Sequence, residues 1–156
     1  MITVHDQWAM PMATDCAAAR LSITASALSL HALRRPSETP FGHLWAAWQC
    51  AAARGCTVDF FLAAPSKNHP ATAQNLTAGG ILRSAGMRAH FVPQPRLLHA
   101  KTLIIDARIV WIGSGNFTAA AAHHNHEIYC RFESPEIAQR IAARWQSIEG
   151  VHHENF

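Results

Sequence analysis

The chain has 156 residues, 49% of them hydrophobic and 15% charged, with a formal net charge of +3. That is enough for one domain with a buried core, residues 1–156, too little for two ordinary ones, and too apolar for a disordered segment. No basic stretch followed by an apolar one opens the chain, and no apolar run nears the roughly 20 residues that span a bilayer, so a soluble, cytoplasmic protein without an integral membrane segment is expected.

In chain order, a helix end near Ala17 runs into a buried strand over residues 21–28. Arg34-Arg35-Pro36-Ser37 reads as a loop. Thr39-Pro40 can cap a helix that continues to Arg54 and stops at Gly55. A short buried strand follows over residues 58–62. Residues 68–85 have helical character and end at Gly86, although Gly79-Gly80 is unfavourable inside a helix. Residues 88–92 form a strand that Pro93-Gln94-Pro95 breaks. Residues 97–105 and 109–113 look like a strand pair joined by a turn at Asp106-Ala107-Arg108. A strand over residues 127–132 precedes a last helix. That helix begins at Ser134-Pro135-Glu136, with Ile137, Ile141, Trp145 and Ile148 along one face and Gly150 beyond its end. Alternating strands and helices followed by a hairpin predict an α/β fold, a mixed β-sheet flanked by helices on both faces.

The chemistry concentrates in one segment. On an extended strand His99 and Lys101 share a face, because alternate side chains point the same way. A neutral imidazole can attack phosphorus, and a fixed ammonium beside it can stabilise charge on the nonbridging oxygens. Asn116 follows Gly113-Ser114-Gly115, whose glycines let backbone approach a ligand closely. If residues 99–106 are extended, Asp106 lies about 23 Å from His99 and cannot orient its imidazole. A turn aspartate that bonds nearby backbone suits it better.

His99-Ala100-Lys101, Asp106, Gly113-Ser114 and Asn116 fill every fixed position of H-x-K-x4-D-x6-G-S-x-N, and the segment resembles the signature of the phospholipase D superfamily. The element order is similar to that of its small single-motif bacterial endonucleases. The resemblance implies a phospholipase D-like domain in which Ser114 and Asn116 contact the phosphate. Glu127 resembles the downstream glutamate that hydrogen-bonds the motif histidine. The catalytic set is then His99, Lys101, Asn116 and Glu127, with Asp106 and Gly113 as structural parts of the motif. It also implies hydrolysis through a phosphohistidine, with no metal and no cofactor. One motif histidine attacks, and a second protonates the leaving oxygen and then activates water. This chain carries one H-x-K, so a homodimer is expected to complete the site. A nucleic-acid substrate is expected, DNA or RNA. The alternatives are a phospholipase or phosphatidyl transferase acting on phospholipid, and a non-catalytic nucleic-acid-binding or dimerisation module.

Other features carry less. Cys16, Cys50, Cys56 and Cys130 form no C-x-x-C pair and are expected to be reduced. His123, His124, His126 and Cys130 resemble metal ligands only in composition, and His152-His153 reads as solvated tail. Trp45 and Trp48, three apart on a helix, have core spacing. Arg34, Arg35, Lys67, Arg83, Arg88 and Arg96 are scattered and read as solvated loop charges.

Overall fold

The centre of the sheet follows from strands that are apolar on both sides. In the strand Thr57–Ala63, Val58, Phe60 and Leu62 join the main core while Phe61 and Ala63 join a second cluster on the opposite face. Such a strand needs neighbours in the sheet and cover above and below it. The computed structural model describes residues 1–33, 37–64, 66–93, 95–148 and 151. Within them the elements run β1 (Ile2–His5), α1 (Ala9–Ala17), β2 (Ser22–Ala27), α2 (Pro40–Ala53), β3 (Thr57–Ala63), α3 (Pro70–Ser84) and β4 (Arg88–Val92). They continue through β5 (Lys101–Ile105), β6 (Ile109–Gly113), α4 (Ala119–His123), β7 (Tyr129–Glu133) and α5 (Pro135–Gln146).

The seven strands form one sheet in the order β1-β7-β6-β5-β2-β3-β4. β2, β3 and β4 are parallel to their neighbours in that group, and every other pairing is antiparallel. The mixed sheet expected from the sequence is therefore present. Helices α1 to α4 contribute to the main cluster on one face, around fully buried Trp45, Trp48, Trp111 and Phe117. On the other face α5 sets Ala138 against Ile104 and Val110, and Trp145 against the Phe61–Val92 cluster.

Local signals explain where elements start. Thr39 accepts a hydrogen bond from Gly42 N at 3.1 Å and Pro40 opens α2. Ser134 caps α5 in the same way, with Pro135 first in the helix. Gly79 is tolerated inside α3 because a Cβ there would overlap the Phe91 ring, so the helix can lie close on β4.

Several expectations need correction. α3 begins at Pro70, where the His69 imidazole accepts from Ala71 N. β5 begins at Lys101 rather than residue 97, because its partners end there: Lys101 pairs with the last residue of β6, and Thr102 with Ser26 near the end of β2. β7 begins at Tyr129 rather than 127. On α5 the innermost residue is Ala138, fully buried, while Ile137 is 39% exposed. β1 and α4 are not foreseen, and α1 ends at Ala17 as expected, with a start at Ala9 that the sequence does not mark. α1 carries Pro11 in its first turn, where a missing N–H costs no helical bond. All four cysteines are unbridged. Arg34, Arg35, Pro36, Gly150, His152 and His153 lie outside the described residues.

The β5–β6 turn anchors the sheet at a distance. Asp106 accepts from the backbone N–H groups of Arg20, Leu21 and Ser22 at 2.9, 2.8 and 2.9 Å, so its partners are remote and not local. Burial opposes its ionisation, but these donors and Arg108 outweigh that and hold the carboxyl below its ordinary range. Asp106→Ala should lower unfolding free energy by about 2–3 kcal/mol at neutral pH in urea denaturation. Because the folded carboxyl is the stronger acid, the contribution exists above about pH 4 and fades as pH falls through the depressed folded value. The deficit of the variant should shrink in the same range, and a constant deficit would contradict an ionic anchor. Asp106 and Ala107 have φ of +51° and +50° and Ala107 is exposed. Ala107→Gly should therefore raise stability by about 0.5–1 kcal/mol.

Candidate active site

Strand direction brings the motif to one edge of the sheet. The carboxyl ends of β2, β3 and β4, the amino end of β5, the carboxyl end of β6 and the amino end of β7 all meet there. The register fixes this: Lys101 pairs with Gly113, Gly113 with Tyr129, and Tyr129 with His5. Asp106 sits at the far end of β5, about 16 Å away along the strand.

His99 lies just outside β5 and is exposed, whereas Lys101 is the first residue of the strand and only 5% exposed. The two do meet. The Lys101 ammonium donates to the His99 carbonyl at 2.7 Å and lies 2.9 Å from Nδ1 and 3.3 Å from Nε2 of the same residue. Among the described residues no carboxylate forms an ion pair with it. Burial pushes the ammonium pKa down, and the charge of Glu127 pulls it back up. The result is a partly desolvated cation beside an exposed imidazole.

The G-S-x-N segment leaves β6 and turns under β7. Ser114 Oγ accepts from Ile128 N at 3.1 Å and donates to the Glu127 carboxylate, which also accepts from Asn125 Nδ2 at 3.2 Å. Within one copy of the chain Glu127 is thus bonded to Ser114 and Asn125, and no hydrogen bond joins it to His99. The reason is visible in β7: residues 127 and 128 precede the strand, and the carboxylate turns back across Gly115. Asn116 Oδ1 accepts from Ser29 N at 3.3 Å, tying the segment to the loop after β2. Gly113 is required by close approach, because a Cβ would overlap the Tyr129 ring and the Ile128 carbonyl.

Two supporting residues were missed by the sequence reading. Asn75, fully buried on α3, bonds Leu30 N, Leu28 O and Ala63 O at 3.0, 2.8 and 2.7 Å, and so holds the strand ends beside the motif. A polar side chain among small apolar neighbours on one helix face was the available signal. Tyr129, fully buried, donates its hydroxyl to Gly115 O. Burial, reinforced by Glu127, raises its pKa, which keeps that donor protonated. Among the described residues no group of three His, Cys, Asp or Glu side chains is placed to hold a metal, and that covers His123, His124, His126 and Cys130. Of the scattered cations, Arg88 is not a loop charge: it forms a two-point ion pair with Asp59, both bonds 2.7 Å.

A family model covers most of the chain. The model of the cardiolipin synthase, phospholipase D-like domain family matches residues 25–148. Among solved structures, the chain is similar to Nuc from Salmonella typhimurium, a phospholipase D family member, with a TM-score of 0.80 at 20% identity over 100% of this chain and 99% of that one. NucT from Helicobacter pylori gives 0.75 at 18% identity over 99% of both chains. Phosphatidylserine synthase from Haemophilus influenzae Rd KW20 gives 0.67 at 10% identity, over 90% of this chain and 35% of that one. At these identities the likeness is one of fold. No curated protein matches the chain by sequence.

The close approach at Gly113 can be checked directly. Gly113→Ala should cost about 1–3 kcal/mol in urea denaturation through overpacking against Tyr129, whereas Gly80→Ala, where a Cβ meets nothing within 4 Å, should be neutral or stabilising.

Proposed function

The chain belongs to the phospholipase D superfamily, and on that premise we propose that it is a phosphodiester hydrolase, an endonuclease on DNA or RNA. It works without a metal, through a phosphohistidine, in a site that two copies of the chain share. The observation that carries this reading is Lys101, a buried residue whose ammonium has no ion-pair partner among the described residues and is held 2.9 Å from the ring of an exposed histidine. A buried cation left unneutralised is costly unless an anion completes it. A phosphodiester beside His99 is such an anion.

The proposed sequence of steps needs two histidines. A ring nitrogen of His99 attacks phosphorus and a P–N bond forms. The P–O bond to the leaving strand breaks, and that oxygen takes a proton from the partner's His99. Water then attacks phosphorus, gives its proton to the partner's His99, and the P–N bond breaks. Lys101 and Asn116 stabilise charge on the nonbridging oxygens throughout. Ser114 supports them by fixing Glu127, whose charge in turn acts on Lys101. Asp106 and Gly113 build the scaffold. A two-fold axis passing by the catalytic edge brings the exposed His99 of one copy toward the other with no further machinery. The full-length likeness to Nuc and NucT supports the nuclease reading at the level of fold. Phosphatidylserine synthase, of which only 35% is covered, keeps phospholipid as the comparison substrate.

The test is incubation with labelled DNA, RNA and phospholipid vesicles in EDTA. Nucleic acid should be cleaved, and His99→Ala should lose at least about a thousandfold in rate. Lys101→Ala should lose about a hundred- to a thousandfold. Loss of cleavage in EDTA would remove the metal-free chemistry, and undiminished activity of His99→Ala would remove the site. Since one histidine must be neutral and its partner protonated, the pH–rate profile should be bell-shaped. A monotonic rise toward alkaline pH would contradict that division of labour.

A further inference from the structure

We propose that a groove running from His99 along α5, lined by Arg96, Arg144 and Arg140, binds a single strand of nucleic acid. The inference rests on the nuclease reading and names the surface that would hold its substrate.

Two depressions on the α5 face share Ala100, Arg144 and Trp145. One, of about 360 Å3, has Arg96 and His99 on its rim. The other, of about 580 Å3, continues past Thr102 to Arg140, Ile112 and Ile141. Together they make a path that starts at the catalytic histidine. Among the described residues no carboxylate compensates the charges along it. Arg96, Arg140 and Arg144 are exposed and take part in no ion pair or side-chain hydrogen bond among the described residues. Glu136, one turn before Arg140, lies beyond ion-pair distance, and no described carboxylate lines either depression.

Three arginines elsewhere differ. Arg88 is neutralised by Asp59, Arg131 by Asp15 and Glu133, and Arg108 by Glu133. The contrast is clearest just past Trp145, where a third cavity of about 330 Å3 holds Arg88 and His90 together with their own counter-charge, Asp59. That cavity has no need of an external anion. The groove beside His99 does.

Shape and spacing select the polymer. Arg140 and Arg144 are four residues apart on one helix face, about 6 Å along its axis, so they present a row of cations and not a pocket for one headgroup. The walls between them are apolar, with Ile112 38% exposed and Trp145 half-buried beside it. Cations that follow a backbone, interleaved with apolar and aromatic walls, suit unpaired bases; a duplex hides its bases and needs only the charges.

The test uses the full chain carrying His99→Ala, so that substrate is bound and not consumed. Binding of labelled oligothymidylate and oligouridylate is followed by fluorescence anisotropy across a salt series. Arg96→Ala, Arg140→Ala and Arg144→Ala, each added to that background, should weaken binding about three- to tenfold at low salt. Each should also flatten the slope of log K against log salt by about 0.7. Arg20→Ala, an exposed residue beside Asp106 at the opposite end of the sheet, should change neither. Competition by duplex of equal length should be weaker than by single strand. Unchanged affinity and slope in the three variants would overturn the groove even if the wild-type protein cleaves nucleic acid. Loss of binding to anionic phospholipid vesicles alone would overturn it in favour of lipid. Flattened slopes in a protein that cleaves nothing would uphold the groove and remove the nuclease reading instead.

Discussion

An ammonium taken out of water at the mouth of a β-sheet constrains everything around it. Lys101 is 5% exposed, and among the described residues its charge is answered by a carbonyl, an imidazole edge and the more distant field of Glu127, and by no direct pairing with a carboxylate. Withdrawing a cation from water in this way disfavours its charged form unless something negative completes its surroundings. The fold keeps that position because β5 is clamped on both sides, by β2 and by β6, from its first residues. Thr102, the next residue, points to the opposite face. It is bonded to Ser26 at 2.7 Å and to the Trp145 indole at 3.3 Å, so the strand cannot swing to hydrate its neighbour.

Topology turns that local constraint into a site. Parallel β2, β3 and β4 release their carboxyl ends on the same edge where antiparallel β5 and β7 begin and β6 ends. Loops from distant parts of the sequence therefore converge on Lys101: residue 29 reaches Asn116, and Asn75 holds the ends of β2 and β3. At the opposite edge Asp106 gathers the N–H groups that lead into β2. The two halves of the motif thus serve opposite ends of one strand, chemistry at its start and anchorage at its finish. This division also explains why a carboxylate in the motif is not within reach of the histidine.

What the sequence reveals is what short-range physics controls. α2 is legible from Thr39-Pro40 to Gly55 because cap, proline and terminal glycine act locally. The mixed sheet is legible because β3 is apolar on both faces. β1, with four residues on an edge, and α4, with five, carry too little pattern to stand out. The ends of β5 and β7 depend on where their partners stop, which no local signal encodes, and this displaced both His99 and Glu127 from the strands expected for them. Asp106 was separable from His99 by length alone, but its partners lie some 85 residues earlier in the chain. Arg96 was invisible as a participant for the same reason: only α5, folding back across the sheet, sets Arg140 and Arg144 in line with it.

On this reading one chain supplies half of an active site. It is tested most directly by purifying, through two different affinity tags, the mixed dimer of wild-type chain and His99→Ala chain, and measuring its cleavage of labelled nucleic acid. A shared site needs both histidines, so the mixed dimer should show only the residual activity of the His99→Ala homodimer. Half of the wild-type activity would mean that each chain works alone and would contradict the claim.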